Sequence, residues 1–196
     1  MCKFASFVLT KDREFWSDTS DSHSEIISAN NLHEWGSHGP NIVKTEISPT
    51  NKIKKWPSLK AWNFRIDQDT LPDWADRDIC EKRTRAALIR RHKAGFTSVD
   101  ATGYTALTEL KADAATTVDA TGCTALTELK ADAAEYVYAT GCTALTELKA
   151  DAATTVDATG CTALTELKAD AAEYVYATGC SPKLVIKAPK NCKIYR

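Results

Sequence analysis

The sequence predicts an α+β N-terminal domain followed by a β-solenoid of 19-residue rungs. Three observations point there. Gly103, Gly122, Gly141, Gly160 and Gly179 stand 19 residues apart, and a fixed period near 20 marks a stacked-repeat architecture. Within each repeat Leu110-Lys111-Ala112-Asp113 and Val118-Asp119-Ala120-Thr121 alternate apolar and polar residues, the period of a strand with one face buried. Ahead of Gly95 the repeat is absent, and short alternating runs are mixed with helical stretches. The expected domains are 1–95, a small capping domain, and 96–196, a solenoid with a C-terminal capping rung.

Each rung should hold two short strands. Its apolar positions are Leu107, Leu110, Ala112, Ala115, Val118, Ala120 and Cys123. One unit cannot bury this set alone, whereas stacked units share a continuous core. The glycine of Ala-Thr-Gly-Cys suits a corner with positive φ. The competing architecture is a shortened leucine-rich-repeat-like β/α horseshoe, because Leu107 to Ala115 is rich in helix formers. A 19-residue unit leaves little room for a strand, a helix and two turns. A second period of 38 is superposed: Thr116-Thr-Val-Asp alternates with Glu135-Tyr-Val-Tyr, then returns at Thr154 and Glu173.

In the first domain, Lys3 to Thr10 reads as a strand, with a turn through Arg13 and a return strand from Glu14. Ser22 or Ser24 can cap a short helix through Glu25-Ile-Ile-Ser-Ala-Asn. Ile42 to Ser48 reads as a strand stopped by Pro49, and Trp62 to Asp67 as another. The last helix is expected to open at Leu71-Pro-Asp-Trp, run to about Lys93 and end at Gly95, with Ile79, Ala86, Ala87 and Ile89 as its inner face. This domain should cover the first rung, where Phe96 and Tyr104 break the repeat. Pro182, Pro189, Lys183, Lys190 and Lys193 should blunt the far edge.

The net charge of −1 conceals an asymmetry. Residues 1–95 carry 16 basic and 13 acidic groups, residues 96–180 carry 4 and 13, and residues 181–196 carry 5 and none. An acidic rod is unsuited to nucleic acid; it can draw basic partners or imitate a nucleic acid, or its charges serve only solubility. No run approaches the ~18 apolar residues of a membrane span, and the N-terminus lacks the apolar core of a signal peptide. The expectation is a cytoplasmic protein. Seven cysteines, four of them at one repeat position, suggest an inward column of reduced thiols, not a disulfide framework.

Chemistry is sparse. Cys2 would become an N-terminal thiol beside its own amine if Met1 were removed, the arrangement of an amine-assisted nucleophile; a small buried residue at the start of a strand is the commoner explanation. His23-Ser24-Glu25 resembles part of a zinc deaminase site, but the Pro-Cys-x-x-Cys partner is missing. His23, His33 and His38 can meet as metal ligands only if the fold gathers them. No metal or other cofactor is assigned from the motifs. The repeats offer a surface instead. With Val118 inward, Thr117 and Asp119 face out, as do Tyr136 and Tyr138 one rung on, Asp157 on the next, and Tyr174 and Tyr176 after that. Tyrosine gives contact area at low entropic cost, although scattered exposed rings are also normal. Glu109, Lys111 and Asp113 recur as charged columns, the lysines offsetting the repulsion of acids stacked on either side. Ice binding is set aside, since Thr105-Ala-Leu-Thr108 lacks the Thr-x-Thr spacing.

The opening Met1-Cys-Lys-Phe-Ala-Ser-Phe-Val-Leu-Thr-Lys-Asp-Arg13, with Ser20-Asp-Ser-His-Ser-Glu-Ile-Ile27 and Pro72-Asp-Trp74, resembles uncharacterised proteins of temperate bacteriophages and prophages. In these a similar head precedes Cys-Thr-Ala-Leu-type repeats. The resemblance implies a small accessory phage protein acting on a host component in the bacterial cytoplasm, and it brings no activity with it. Three functions are therefore expected to compete. One is a non-enzymatic interaction module binding a host or defence protein through Tyr136, Tyr138, Tyr174, Tyr176, Asp119 and Asp157. Another is a small hydrolase or transferase using Cys2, or His23 with Glu25. The third is a structural spacer.

Overall fold

The computed structural model describes residues 5–50, 52–56, 58, 62–94 and 97–196. Two compact units divide the chain: residues 1–50 with 59–95, and residues 51–58 with 96–196. The short segment 51–58 belongs with the repeats.

The elements of the first unit, in chain order, are β1 (Ala5–Leu9), β2 (Glu14–Phe15), α1 (His23–Ala29), β3 (Trp35–Gly36), β4 (Gly39–Pro40) and β5 (Val43–Pro49). After β6 (Lys55–Trp56), which belongs to the second unit, come β7 (Trp62–Ile66) and α2 (Arg77–Ala94). The strands form an antiparallel sheet in the order β2-β1-β5-β7. Pro49 does not stop β5; it is the last paired residue, opposite Trp62. Strand β5 buries alternate residues, Val43, Thr45, Ile47 and Pro49, as a half-buried strand must. Ser22 caps α1, its hydroxyl accepting from the Glu25 N–H.

Helix α2 departs from expectation twice. It starts at Arg77, not Leu71: the Pro72 carbonyl closes a turn with the Ala75 N–H at 2.9 Å, and Asp76 then caps the helix by accepting from the Ile79 N–H at 2.7 Å. Its inner face is Cys80, Thr84, Ala87, Leu88 and Arg91, all buried, whereas Ile79 and Ile89 are exposed by 42% and 46%. Of the expected face only Ala87 is inside. The reason is that two polar residues hold inward positions. Thr84 shares a 2.9 Å hydroxyl bond with buried Thr45, and Arg91 pairs with Asp21 at 2.8 Å. Both polar groups are partnered where they are buried, as buried polar groups usually are. Arg83 extends the seam, reaching Glu14 at 2.6 Å and the Thr10 carbonyl at 2.8 Å. Residue Gly95, the expected helix end, and Phe96 lie outside the described residues.

The second unit is a β-solenoid. One parallel sheet contains β6, β9 (Glu109–Lys111), β11 (Glu128–Lys130), β13 (Glu147–Lys149), β15 (Glu166–Lys168) and β17 (Val185–Lys187). The other contains β8 (Ser98–Asp100), β10 (Thr117–Asp119), β12 (Tyr136–Tyr138), β14 (Thr155–Asp157), β16 (Tyr174–Tyr176) and β18 (Lys193–Tyr195). Leu110, Leu129, Leu148 and Leu167 stack in register. No helix occurs between residues 97 and 196, which excludes the β/α horseshoe. Seven side chains per rung point inward, for example Ala120, Cys123, Leu126, Leu129, Ala131, Ala134 and Val137, all with no exposed surface. The repeating glycines have φ between 71° and 75°, a conformation that costs any residue with a Cβ about 1–2 kcal/mol.

Polar ladders hold the rungs together. Each column thiol donates to a carbonyl of the rung before: Cys123 to Ala101 at 2.9 Å, Cys142 to Ala120 at 3.0 Å, Cys161 to Ala139 at 3.1 Å and Cys180 to Ala158 at 3.0 Å. All six cysteines among the described residues are free thiols. The Thr127, Thr146 and Thr165 hydroxyls likewise donate to the threonine carbonyl one rung back. At the start of the solenoid, Lys55 and Trp56 pair with Glu109 and Leu110, and Ile53 and Trp56 are buried. A two-residue strand thus closes one sheet of the first rung. At the other end β17 and β18 are the last strands of their sheets. Pro182 and Pro189 lie in the turns, and the edge strands themselves carry Lys187 and Lys193.

Candidate functional site

Two places concentrate chemistry. The first is the outer face of the sheet running from β8 to β18. Parallel, in-register pairing creates two columns: Ser98, Thr117, Tyr136, Thr155, Tyr174 and Lys193 in one; Asp100, Asp119, Tyr138, Asp157, Tyr176 and Tyr195 in the other. Tyr136 and Tyr176 are exposed by 37% and 38%, and Tyr138 and Tyr174 are half-buried. All four expected tyrosines therefore share one face. Its C-terminal end is denser than expected. The Tyr195 ring lies on that of Tyr176, with centroids 5.0 Å apart and planes 8° apart, and the Lys193 ammonium sits 5.3 Å from the Tyr174 centroid. The signal for Tyr195 is present in the sequence, since Ile194 keeps the register of Val175.

Asp119 and Asp157 are engaged locally. An oxygen of each carboxylate accepts from the backbone N–H two residues on, Thr121 and Thr159, at 2.9 Å; Asp100 does the same for Thr102. These are Asx turns, at the corners before Gly103, Gly122 and Gly160. A hydrogen bond with the Glu135 carboxylate raises the Tyr136 phenol above its ordinary pKa.

On the other sheet lysines lie between the acids of successive rungs. Lys149 lies 2.8 Å from Asp132 and 3.2 Å from Asp151, and Lys168 lies 3.0 Å from Asp151 and 2.9 Å from Asp170. Lys130 bridges Asp113 and Asp132 in the same way. Each cation therefore sits between the acids of its own rung and its neighbour's. Glu109, hydrogen-bonded by Lys111 and Lys55, is held down to about 2.

The second place is in the α+β unit. His23 begins α1, and its ring lies between β5 and the end of β7. Nε2 is 3.1 Å from the Thr45 carbonyl, and Nδ1 is 3.3 Å from Asp67 Oδ2. Glu46 completes a group whose ligand atoms all lie within 4.8 Å of one another. Arg65 pairs with Glu46 and, at 3.2 Å, with Asp67. His33 and His38 are exposed and do not join His23 in this group. Glu25 does not join it either; it is exposed, two residues along a helix and so on a different side from His23. Cys2 lies outside the described residues. A cavity of about 320 Å³ in the same unit is lined by Trp35, Lys44, Gln68 and Asp69 among others. Gln68 is fully used there, accepting from the Lys44 N–H and donating to the Ile42 and Thr70 carbonyls.

By fold, this is a β-solenoid protein with a small α+β unit ahead of its repeats. Compared with known proteins, the chain matches no protein family, no curated protein and no solved structure. Among the described residues no helix is long and apolar enough to cross a membrane.

Proposed function

We propose that the protein is a non-enzymatic interaction module whose tyrosine-bearing solenoid face binds another protein. The observation that carries this reading is the register. It lines up Tyr136, Tyr138, Tyr174 and Tyr176 on a single face and adds the Tyr176–Tyr195 stack at its end. Rings held on a rigid scaffold lose little entropy on contact, which favours them in binding surfaces. The phage resemblance suggests a host or defence protein in the bacterial cytoplasm as the partner. The acidic balance of the repeats favours a basic partner over nucleic acid.

The test is a pull-down from bacterial lysate with the wild type and with a variant in which all four tyrosines become serine. Loss of the captured partners, with the circular dichroism of the solenoid unchanged, supports the face. Identical captures by both proteins reject it. An empty result from both is the outcome for a structural spacer.

An enzymatic reading has one observation in its favour: His23 faces two carboxylates, as the histidine of a hydrolytic site often does. Cys2 adds to that reading only if Met1 is removed, which intact-mass spectrometry checks directly.

A further inference from the structure

We infer that His23, Glu46 and Asp67 form a binding site for a divalent first-row transition metal, with zinc as the reference ion. The inference is independent of the tyrosine face and does not require the unit to be catalytic.

The argument begins with donors and acceptors. The Thr45 carbonyl can only accept, so the Nε2 beside it at 3.1 Å carries a proton. In a neutral imidazole this leaves a lone pair on Nδ1. That lone pair points at Asp67 Oδ2, 3.3 Å away, which when ionised also only accepts. Something positive must bridge these two acceptors, either a second ring proton, as in a His–Asp ion pair, or a metal ion. A third acceptor, the Glu46 carboxylate, closes on the same point, with all three ligand atoms within 4.8 Å of one another. Zinc bound at about 2.0–2.2 Å from each ligand needs them roughly 3.5 Å apart. The observed spacing, within 4.8 Å, is wider than that, so binding requires Asp67 and Glu46 to close on the ion.

The surroundings match such a site. Metal-bound histidines usually donate their other N–H to a carbonyl or carboxylate, which fixes the ring; here Thr45 does this. His23 and Glu46 are largely buried, with side-chain exposures of 11% and 16%, while Asp67 at 41% leaves one side open to water or a ligand. That is three protein ligands and an open position, the pattern of non-structural zinc sites. An imidazole nitrogen in the set disfavours calcium and magnesium, which prefer oxygen alone. Arg65 is the counter-cation in this structure. Its side chain is 66% exposed, so it can leave for solvent when a metal takes its place.

The experiment uses the full chain, stripped with a chelator and titrated with zinc chloride by calorimetry. The expected result is one ion per chain. His23→Ala and Asp67→Asn should each weaken binding by at least about tenfold, since each removes a direct ligand and even outer-shell losses reach that size. Arg65→Gln should tighten it several-fold by removing the competing cation, and this exposed substitution guards against loss of fold as an explanation. His33→Ala and His38→Ala should leave it unchanged. In the wild type, zinc should shift the His23 ring resonances, and cobalt should give a visible spectrum without thiolate charge-transfer bands. Absence of saturable binding, binding that survives His23→Ala, or thiolate bands with cobalt would overturn the inference.

Discussion

Burial decides how the thiols behave. Cys123 is pushed up to about 11, chiefly by burial, and Cys142 is pushed further up by the adjoining Cys161 thiol and by burial. Cys161 is shifted the other way, down through its hydrogen bond with Cys142, so it is the lack of exposed surface at Cys123, Cys142 and Cys161 that keeps reagents from the column. Under a thiol-labelling reagent, Cys192, which is half-buried, should react in the folded protein, while Cys123, Cys142 and Cys161 should label only at the rate of unfolding. Peptide mapping after timed labelling reads this directly, and fast labelling of Cys142 would contradict the packed column. His92 behaves in the opposite sense to an ion-paired group. Burial lowers its pKa from 6.5, so the unfolded chain takes up a proton first as the solution is acidified. Its contribution to stability is whole above about pH 6.5 and is lost as pH falls towards the lowered value. The melting temperature should drop between about pH 7.5 and 5, and His92→Gln should flatten that part of the curve.

The elements differ in how openly the sequence displays them. The rungs were legible because all seven inward positions are apolar and recur at fixed spacing; Val118 and Leu110 needed no knowledge of the rest of the chain. Helix α2 was not. Its buried stripe includes Thr84 and Arg91, whose partners Thr45 and Asp21 are far away in sequence, while Ile79 and Ile89 occupy the outside. The cluster around His23 was half legible. The histidine stood out, but Glu46 comes from β5 and Asp67 from just past β7, and nothing local links them to it. Segment 51–58 was missed because two paired residues are too few to leave a pattern. The helix gives a clear contrast to measure. Leu88→Ala, at a position with no exposed surface, should cost about 3 kcal/mol. Ile89→Ala, next door but 46% exposed, should change stability by less than about 0.5 kcal/mol. Chemical denaturation of both variants checks the assignment, and equal losses would restore Ile89 to the inner face.

At the scale of the molecule, the solenoid should behave as a sum of rungs and interfaces, since each rung meets only its neighbours. Removing residues 116–153 takes out two rungs and joins Ala115 to Thr154, where Thr154-Thr-Val-Asp repeats Thr116-Thr-Val-Asp. The shortened protein should fold with the same strand signature in circular dichroism and a lower melting temperature. Failure to fold would mean that the array is one indivisible unit.

The uniform interior carries a hazard of its own. A storey that docks on the wrong neighbour, displaced by 19 or 38 residues, loses almost nothing inside the shaft, because the same leucines and thiols meet it there. The first storey differs from the interior ones, with the buried Tyr104 where later ones carry a cysteine. That phenol serves as a starting mark for the winding. Tyr104→Cys should therefore let refolding begin out of phase, seen as extra slow kinetic phases beside a native state of little-changed shape.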